Sequence, residues 1–117
     1  MVINIMDPHK PYYAEGRDGE TVPDPHKPTR VFTPDEIPIP GCLFDDPVVR
    51  KALAHYYSSV RRADDSVGAV LDALKQSGEE DKTVVMFLSD HGMPLPFVKT
   101  QLYQARVPRR PRRSTKR

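Results

Sequence analysis

Thirteen prolines, confined to two stretches, limit what this 117-residue chain can fold into. They all lie within residues 8–47 and 94–111. Because proline has no backbone N–H to donate to a helix or a sheet, we expect both stretches to be mostly loop. Regular structure is therefore expected before residue 8 and between residues 48 and 93, within at most one small domain.

Two short apolar segments predict strands. Val2–Met6 contains a valine and two isoleucines, and Thr83–Leu88 is a run of β-branched and apolar side chains. Neither segment alternates with polar residues, which is typical of strands buried on both faces of a parallel sheet. We therefore expect parallel strands at about residues 2–6 and 83–88.

One long helix is predicted between them, over residues 47–76. Asp46 suits the N-cap, Pro47 suits the first turn, and Gly78 is a typical C-terminal stop. Apolar residues recur at alternating steps of four and three, which predicts one buried stripe. The stripe consists of Val49, Leu53, Tyr56, Val60, Ala63, Val67, Val70 with Leu71, and Leu74.

Strand, long loop, helix and strand in that order predict an α/β fold. The crossover between the two strands would be right-handed and the strands parallel. A single unit of this kind cannot cover both faces of its sheet. We therefore expect these residues to have evolved as part of a larger domain.

Acidic and imidazole side chains follow both predicted strands. Asp7 and His9 come after the first, and Asp90 and His91 come after the second. Since ligands bind at the carboxyl ends of parallel strands, the four side chains predict one site. Asp90 and His91 suit a divalent cation, and Lys99 with His9 would suit an anionic ester. The spacing alone equally allows Asp90 and His91 to cap the strand end by backbone hydrogen bonds.

Other polar residues are interpreted as structural. Asp24–Pro28 repeats the sequence of Asp7–Pro11, but five residues are too few to establish a repeat, and His26 is interpreted as a loop residue. His55 and the Asp64–Asp65 pair are expected on a solvated face of the helix.

The combined motifs resemble the sulfatase family of the alkaline-phosphatase-like superfamily. They are Asp-Pro-His-x-Pro after a strand, a helix with Tyr-Tyr-x-Ser-Val and a later Val-Gly, and Ser-Asp-His-Gly followed by a lysine. The resemblance covers residues 2–103, and the run from Met93 to Tyr103 is most similar to the heparan N-sulfatase branch. It implies a partial alkaline-phosphatase-like fold in residues 1–103.

The resemblance also implies roles for individual residues. Asp90 and His91 fall on two metal ligands of the family, usually for calcium. Lys99 and His9 fall on residues that contact the sulfate, and His9 also assists the leaving group. Asp65 is expected to be structural. The implied reaction is hydrolysis of a sulfate ester or sulfamate on a small molecule or glycan.

The sequence departs from the family at both ends. The family's formylglycine nucleophile lies in Cys/Ser-x-Pro-x-Arg, whereas Cys42 lacks that proline and arginine, and Asp45–Asp46 only superficially resembles the family's paired metal-binding aspartates. Residues 104–117 are expected to be a disordered basic tail. We therefore expect a fragment of a sulfatase gene, inactive alone.

Two alternatives remain open from the sequence. A related phosphoesterase or phosphonate hydrolase would use the same scaffold. A small nucleic-acid-binding protein could use the tail, since residues 106–117 hold seven basic and no acidic side chains. The rest of the chain is acidic, with 11 basic and 16 acidic residues, which disfavours nucleic acid. No run of about 18 apolar residues predicts a transmembrane helix.

Overall fold

The structure is a computed structural model that describes residues 1–18, 20–89 and 91–93. The chain divides into two units, Met1–Thr83 and Val84–Arg117. The first unit contains one long helix, a long irregular loop before it and two short 3₁₀ turns, at Pro34–Glu36 and Glu80–Lys82. The described part of the second unit contains no helix or strand.

Helix α1 spans Pro47–Gln76, as the sequence predicts. The Asp46 carboxylate accepts the backbone N–H of Val48 at 2.8 Å and so caps the first turn. At the other end the Ser77 N–H donates to the carbonyl of Ala73 at 3.0 Å. Gly78 follows with a φ of +72°, a left-handed conformation that glycine adopts without strain.

The predicted parallel strands at residues 2–6 and 83–88 are wrong for the structure as described. No residue of either segment belongs to a strand, and the one isolated bridge among the described residues joins Glu15 to Thr21. Apolar composition favours a strand, but a strand forms only where a neighbouring strand completes its hydrogen bonds. Both segments are largely exposed instead, with Val2 at 87% and Phe87 at 77% of full exposure and Ile5 partly buried.

The loop before the helix packs along the N-terminal half of α1. Their shared core is small. It includes Tyr12, whose ring contacts Tyr56 edge to face with the ring centroids 5.4 Å apart. The buried apolar side chains among the described residues are Tyr12, Ala14, Ile37, Leu53 and Ala54.

The predicted apolar stripe on α1 is only partly buried. Leu53 is fully buried, but Val60 and Leu71 are exposed. The loop contacts Tyr56 of the stripe and also the side of the helix that carries Ala54, Ser58 and Arg62. At 3.6 residues per turn, these positions lie roughly opposite the stripe.

Candidate functional site

His9 lies in a tight turn at the start of the loop. Its backbone N–H donates to the carbonyl of Met6 at 2.8 Å, and its ring Nδ1 lies 2.7 Å from the carbonyl of Lys10. Since a carbonyl can only accept, Nδ1 must carry the proton. Neutral His9 therefore keeps Nε2 as an acceptor, and the side chain is exposed.

A groove of about 440 Å³ runs beside His9. Its charged lining residues are Asp7, Lys10 and Arg62, and both cations are paired, Lys10 with Glu15 and Arg62 with Asp7 and Asp24. Its lining consists of Asn4, Ile5, Met6, Asp7, His9, Lys10, Pro11, Arg62 and Ser66. His9, one of the predicted site residues, thus lies at the edge of a concave surface.

Arg62, on the middle of α1, binds two carboxylates of the loop at once. Its Nε and one terminal nitrogen donate to the two oxygens of Asp7 at 2.6 and 2.8 Å. Its other terminal nitrogen donates to Asp24 at 2.8 Å. The three side chains are each about one-fifth exposed or less, and we call them the Arg62 cluster.

The contacts within the Arg62 cluster shift the pKa values of Arg62 and Asp24 in favour of their charged forms. Hydrogen bonding to Asp7 is the main reason that the pKa of Arg62 rises above its ordinary value, against the effect of burial. Burial alone would raise the pKa of Asp24. Hydrogen bonds from the His26 N–H and from Arg62, with the guanidinium charge, lower it below its ordinary value.

The Arg62 cluster gives the short sequence repeat a structural meaning. Asp7 and Asp24 are the first residues of the two Asp-Pro-His-Lys-Pro copies, and both bind the same guanidinium. The repeat could have indicated that Asp7 and Asp24 share a role. It could not indicate their partner, because Arg62 is one of several basic residues on the helix outside the apolar stripe. Nothing in the spacing identified it as the common partner.

His55 and Asp65 are not on a solvated face, contrary to the prediction. The Nδ1 of His55 lies 2.8 Å from the carbonyl of Tyr13, and Ser59 accepts the N–H of Tyr13 at 2.6 Å. Asp65 accepts the N–H and the hydroxyl of Thr29 at 2.8 and 2.7 Å. Both side chains therefore attach the loop to the helix, although Asp64 is exposed.

Asp45 and Asp46 serve the start of the helix. Asp45 forms a bidentate pair with Arg50, and Asp46 caps α1. These contacts account for the pair without a metal ion. Cys42 is exposed and forms no disulfide.

The second half of the predicted site is described only at His91. Its Nδ1 lies 2.9 Å from the carbonyl of Gly92. Asp90 and Lys99 lie outside the described residues, and His9 and His91 belong to different units. Within residues 1–18, 20–89 and 91–93, no three His, Cys, Asp or Glu side chains group closely enough to hold a metal ion.

The family model for sulfatases matches residues 1–109. The chain belongs to the sulfatase family. This membership confirms the resemblance inferred from the motifs, and it implies an alkaline-phosphatase-like α/β fold and a relationship to sulfuric ester hydrolases. The sulfatase match continues past residue 103, and the division into residues 1–103 and a basic tail at 104–117 stays a prediction.

Several individual sulfatases resemble the chain. It is 36% identical over 88 residues to human N-sulphoglucosamine sulphohydrolase, which covers 75% of this chain and 16% of that protein. It is 34% identical over 67 residues to the ulvan-active sulfatase of Formosa agariphila, or 57% and 11% of the two chains. An arylsulfatase of Clostridium perfringens is 29% identical over 93 residues, or 74% and 19%. No solved structure matches the chain.

This sulfatase chain spans less than one-fifth of the length of these three relatives. No helix in the described part of the chain is long and apolar enough to cross a bilayer.

Proposed function

We propose that this chain contributes part of the active site of a sulfatase that hydrolyses a sulfate ester or a sulfamate. Family membership supports the reaction class. The main structural support is His9, which borders a groove and directs Nδ1 to the carbonyl of Lys10, so that Nε2 is the nitrogen that can meet a ligand. Such a histidine suits contact with a sulfate and proton transfer to its leaving group.

The net reaction assigns His9 and Lys99 distinct parts. The bond from sulfur to the leaving oxygen or nitrogen breaks, and a bond from sulfur to a water-derived oxygen forms. Protonated His9 donates its proton to the leaving atom, and a proton from water restores it. Lys99 offsets the negative charge of the sulfate oxygens. The products are an alcohol or amine and hydrogensulfate.

Asp90 and His91 are proposed as two ligands of a divalent cation, calcium by family resemblance. A bound cation would polarise the sulfate oxygens and orient them. Calcium takes six to eight oxygen ligands as a rule, so a complete site needs donors beyond these two. Among the described residues, no three His, Cys, Asp or Glu side chains group closely enough to supply them.

The family nucleophile, formylglycine, has no counterpart at Cys42, which lacks the neighbouring proline and arginine. We therefore expect the chain alone to be inactive. For the parent enzyme, the substrate class proposed is a sulfated small molecule or glycan. The name of the human relative refers to an N-sulfated amino sugar, and the sulfamate option rests on that relative.

Binding of inorganic sulfate to the isotope-labelled chain tests the proposed site. We expect sulfate to shift the imidazole resonances of His9 in an NMR titration, and His9→Ala and Lys99→Ala to weaken binding by about tenfold each. His26→Ala is the matched control, because His26 occupies the same position in the other Asp-Pro-His-Lys-Pro copy but does not line the groove. Binding unaffected by His9→Ala would contradict the proposal.

A parallel titration with inorganic phosphate separates the sulfatase from a related phosphoesterase. Equal or tighter phosphate binding at His9 would favour the phosphoesterase. Turnover of an aryl sulfate by the purified chain, with and without calcium, tests the expected inactivity. Robust hydrolysis would mean that another residue replaces the missing nucleophile.

A further inference from the structure

We propose that Arg62 is a positioning residue for His9, which it holds in place through Asp7. The inference rests on the proposed function in one respect, namely that His9 meets the sulfate. Arg62 itself is engaged by two carboxylates and is assigned no contact with the reacting atoms.

Arg62 and His9 are connected through only two residues, Asp7 and Pro8, and both are conformationally restricted. Both oxygens of Asp7 are held by the guanidinium, and Pro8 is the only residue between Asp7 and His9. Proline fixes its own φ and restricts the residue before it. A fixed Asp7 carboxylate therefore restricts where the His9 backbone can lie, and the N–H bond to Met6 restricts it further.

The fork shape of the guanidinium explains why one arginine can hold Asp7 in a defined orientation. Two parallel N–H donors fix the plane of the carboxylate, which a single ammonium cannot do. Asp24 binds the remaining terminal nitrogen, so the guanidinium cannot turn away from Asp7 without also losing Asp24. The Tyr13 ring lies 5.6 Å from the guanidinium carbon and limits its movement on another side.

Partial burial makes the Arg62 cluster more than a surface ion pair. Exposed pairs contribute little because water and salt screen them. Here the three side chains are only about one-fifth exposed, so removing Arg62 would leave two poorly solvated carboxylates without their partner. Asp7 and Asp24 each tie a different loop segment to the one guanidinium, so we expect removal of either carboxylate to have a measurable effect at its own segment.

The test compares two matched substitutions in the full-length, ¹⁵N-labelled chain. Asp7→Asn releases the loop arm that carries His9, and Asp24→Asn releases the arm that carries His26. Long-range ¹H–¹⁵N spectra report which ring nitrogen of His9 carries the proton. We expect Asp7→Asn and Arg62→Gln to remove the Nδ1–H preference of His9 and weaken sulfate binding about tenfold, and Asp24→Asn to leave the His9 spectrum unchanged.

Arg61→Gln is the control for loss of a charge from this part of the helix. Arg61 binds Thr29 and the carboxylates of Asp64 and Asp65, and does not contact the segment of His9. We expect it to leave the His9 spectrum unchanged. If Arg62→Gln fails to fold, as judged by loss of helical circular dichroism, the comparison of Asp7→Asn with Asp24→Asn decides the question.

An unchanged His9 tautomer in Asp7→Asn would overturn the positioning role. An equal change in Asp7→Asn and Asp24→Asn would also overturn it, because Arg62 would then act only on overall stability. Failure of the proposed function is distinguishable. If sulfate shifts no His9 resonance in the unsubstituted chain, the sulfate site is wrong, while the tautomer comparison still tests Arg62.

Discussion

Ser58 and Ser59 occupy positions on α1 where a leucine would be the usual occupant. Both are fully buried, and each accepts a backbone N–H from the loop, Phe32 at 3.0 Å and Tyr13 at 2.6 Å. A buried N–H without a partner is costly, so each hydroxyl supports a loop segment that has no regular structure to satisfy its backbone. The burial of these serines could not be predicted from hydrophobic periodicity, which treats serine as a surface residue.

Ser59→Ala should lower the free energy of unfolding by about 1–3 kcal/mol, because it leaves the Tyr13 N–H buried without its acceptor. Urea denaturation followed by circular dichroism measures the change. Ser66→Ala is the matched control on the same helix. Ser66 only donates to the carbonyl of Arg62, four residues earlier, so its loss should cost little. Equal losses for the two variants would contradict this account.

Stability should fall in acid because of Asp24. Its folded-state pKa lies below that of the unfolded chain, so its contribution is complete above the unfolded value of about 3.9. That contribution is lost as the pH falls through the lower folded-state pKa. We expect the free energy of unfolding to decrease below about pH 4, as measured by urea denaturation between pH 2 and pH 7.

Asp24→Asn should be less stable than the unsubstituted chain at neutral pH and should show a shallower acid dependence. A variant with an unchanged slope would assign the acid sensitivity to other carboxylates, such as Asp65. The Thr29 N–H and hydroxyl also lower the pKa of Asp65.

Helix α1 was predicted in full because its signals are local. The cap, the first-turn proline and the terminal glycine act within a few residues of each end. The contacts that attach the loop to the helix were not predictable in the same way. Arg62 and Asp7 are 55 residues apart, and no sequence rule pairs them across that distance.

Two substitutions on α1 should change stability in opposite directions. Asp46→Ala removes the N-cap and should cost about 1 kcal/mol. Gly68→Ala should add about 1 kcal/mol, since alanine favours a helix and a Cβ at Gly68 meets no atom within 4 Å. Thermal unfolding monitored by circular dichroism compares them. A destabilised Gly68→Ala would contradict the open surroundings of Gly68 in the structure.

For the molecule as a whole, the two strand predictions failed for a non-local reason. Residues 2–6 and 83–88 have the composition of buried strands, and composition was all that the sequence offered. Whether such a segment becomes a strand depends on a neighbour at the right distance. Val84–Leu88 instead presents five consecutive exposed apolar side chains, which is unusual on the surface of a protein.

The exposed run should make the chain bind hydrophobic dyes and self-associate. Phe87→Lys interrupts it and should lower both 1-anilinonaphthalene-8-sulfonate fluorescence and the associated fraction in sedimentation velocity. Phe44→Lys is the control, because Phe44 is exposed to a similar degree but lies in the loop, outside any such run. Equal effects of the two substitutions would mean that total hydrophobicity, rather than the run, drives association.

The two sides of α1 make different kinds of contact. Hydrogen bonds and ion pairs fasten the loop to one side, while Val60 and Leu71 are exposed on the other. A surface that covers Val60 and Leu71 would therefore leave the hydrogen bonds and ion pairs between the loop and the helix intact. The turn at His9 can thus form before the exposed side of the helix packs against another surface. Mutations can alter the formation of the turn and the packing of the helix independently.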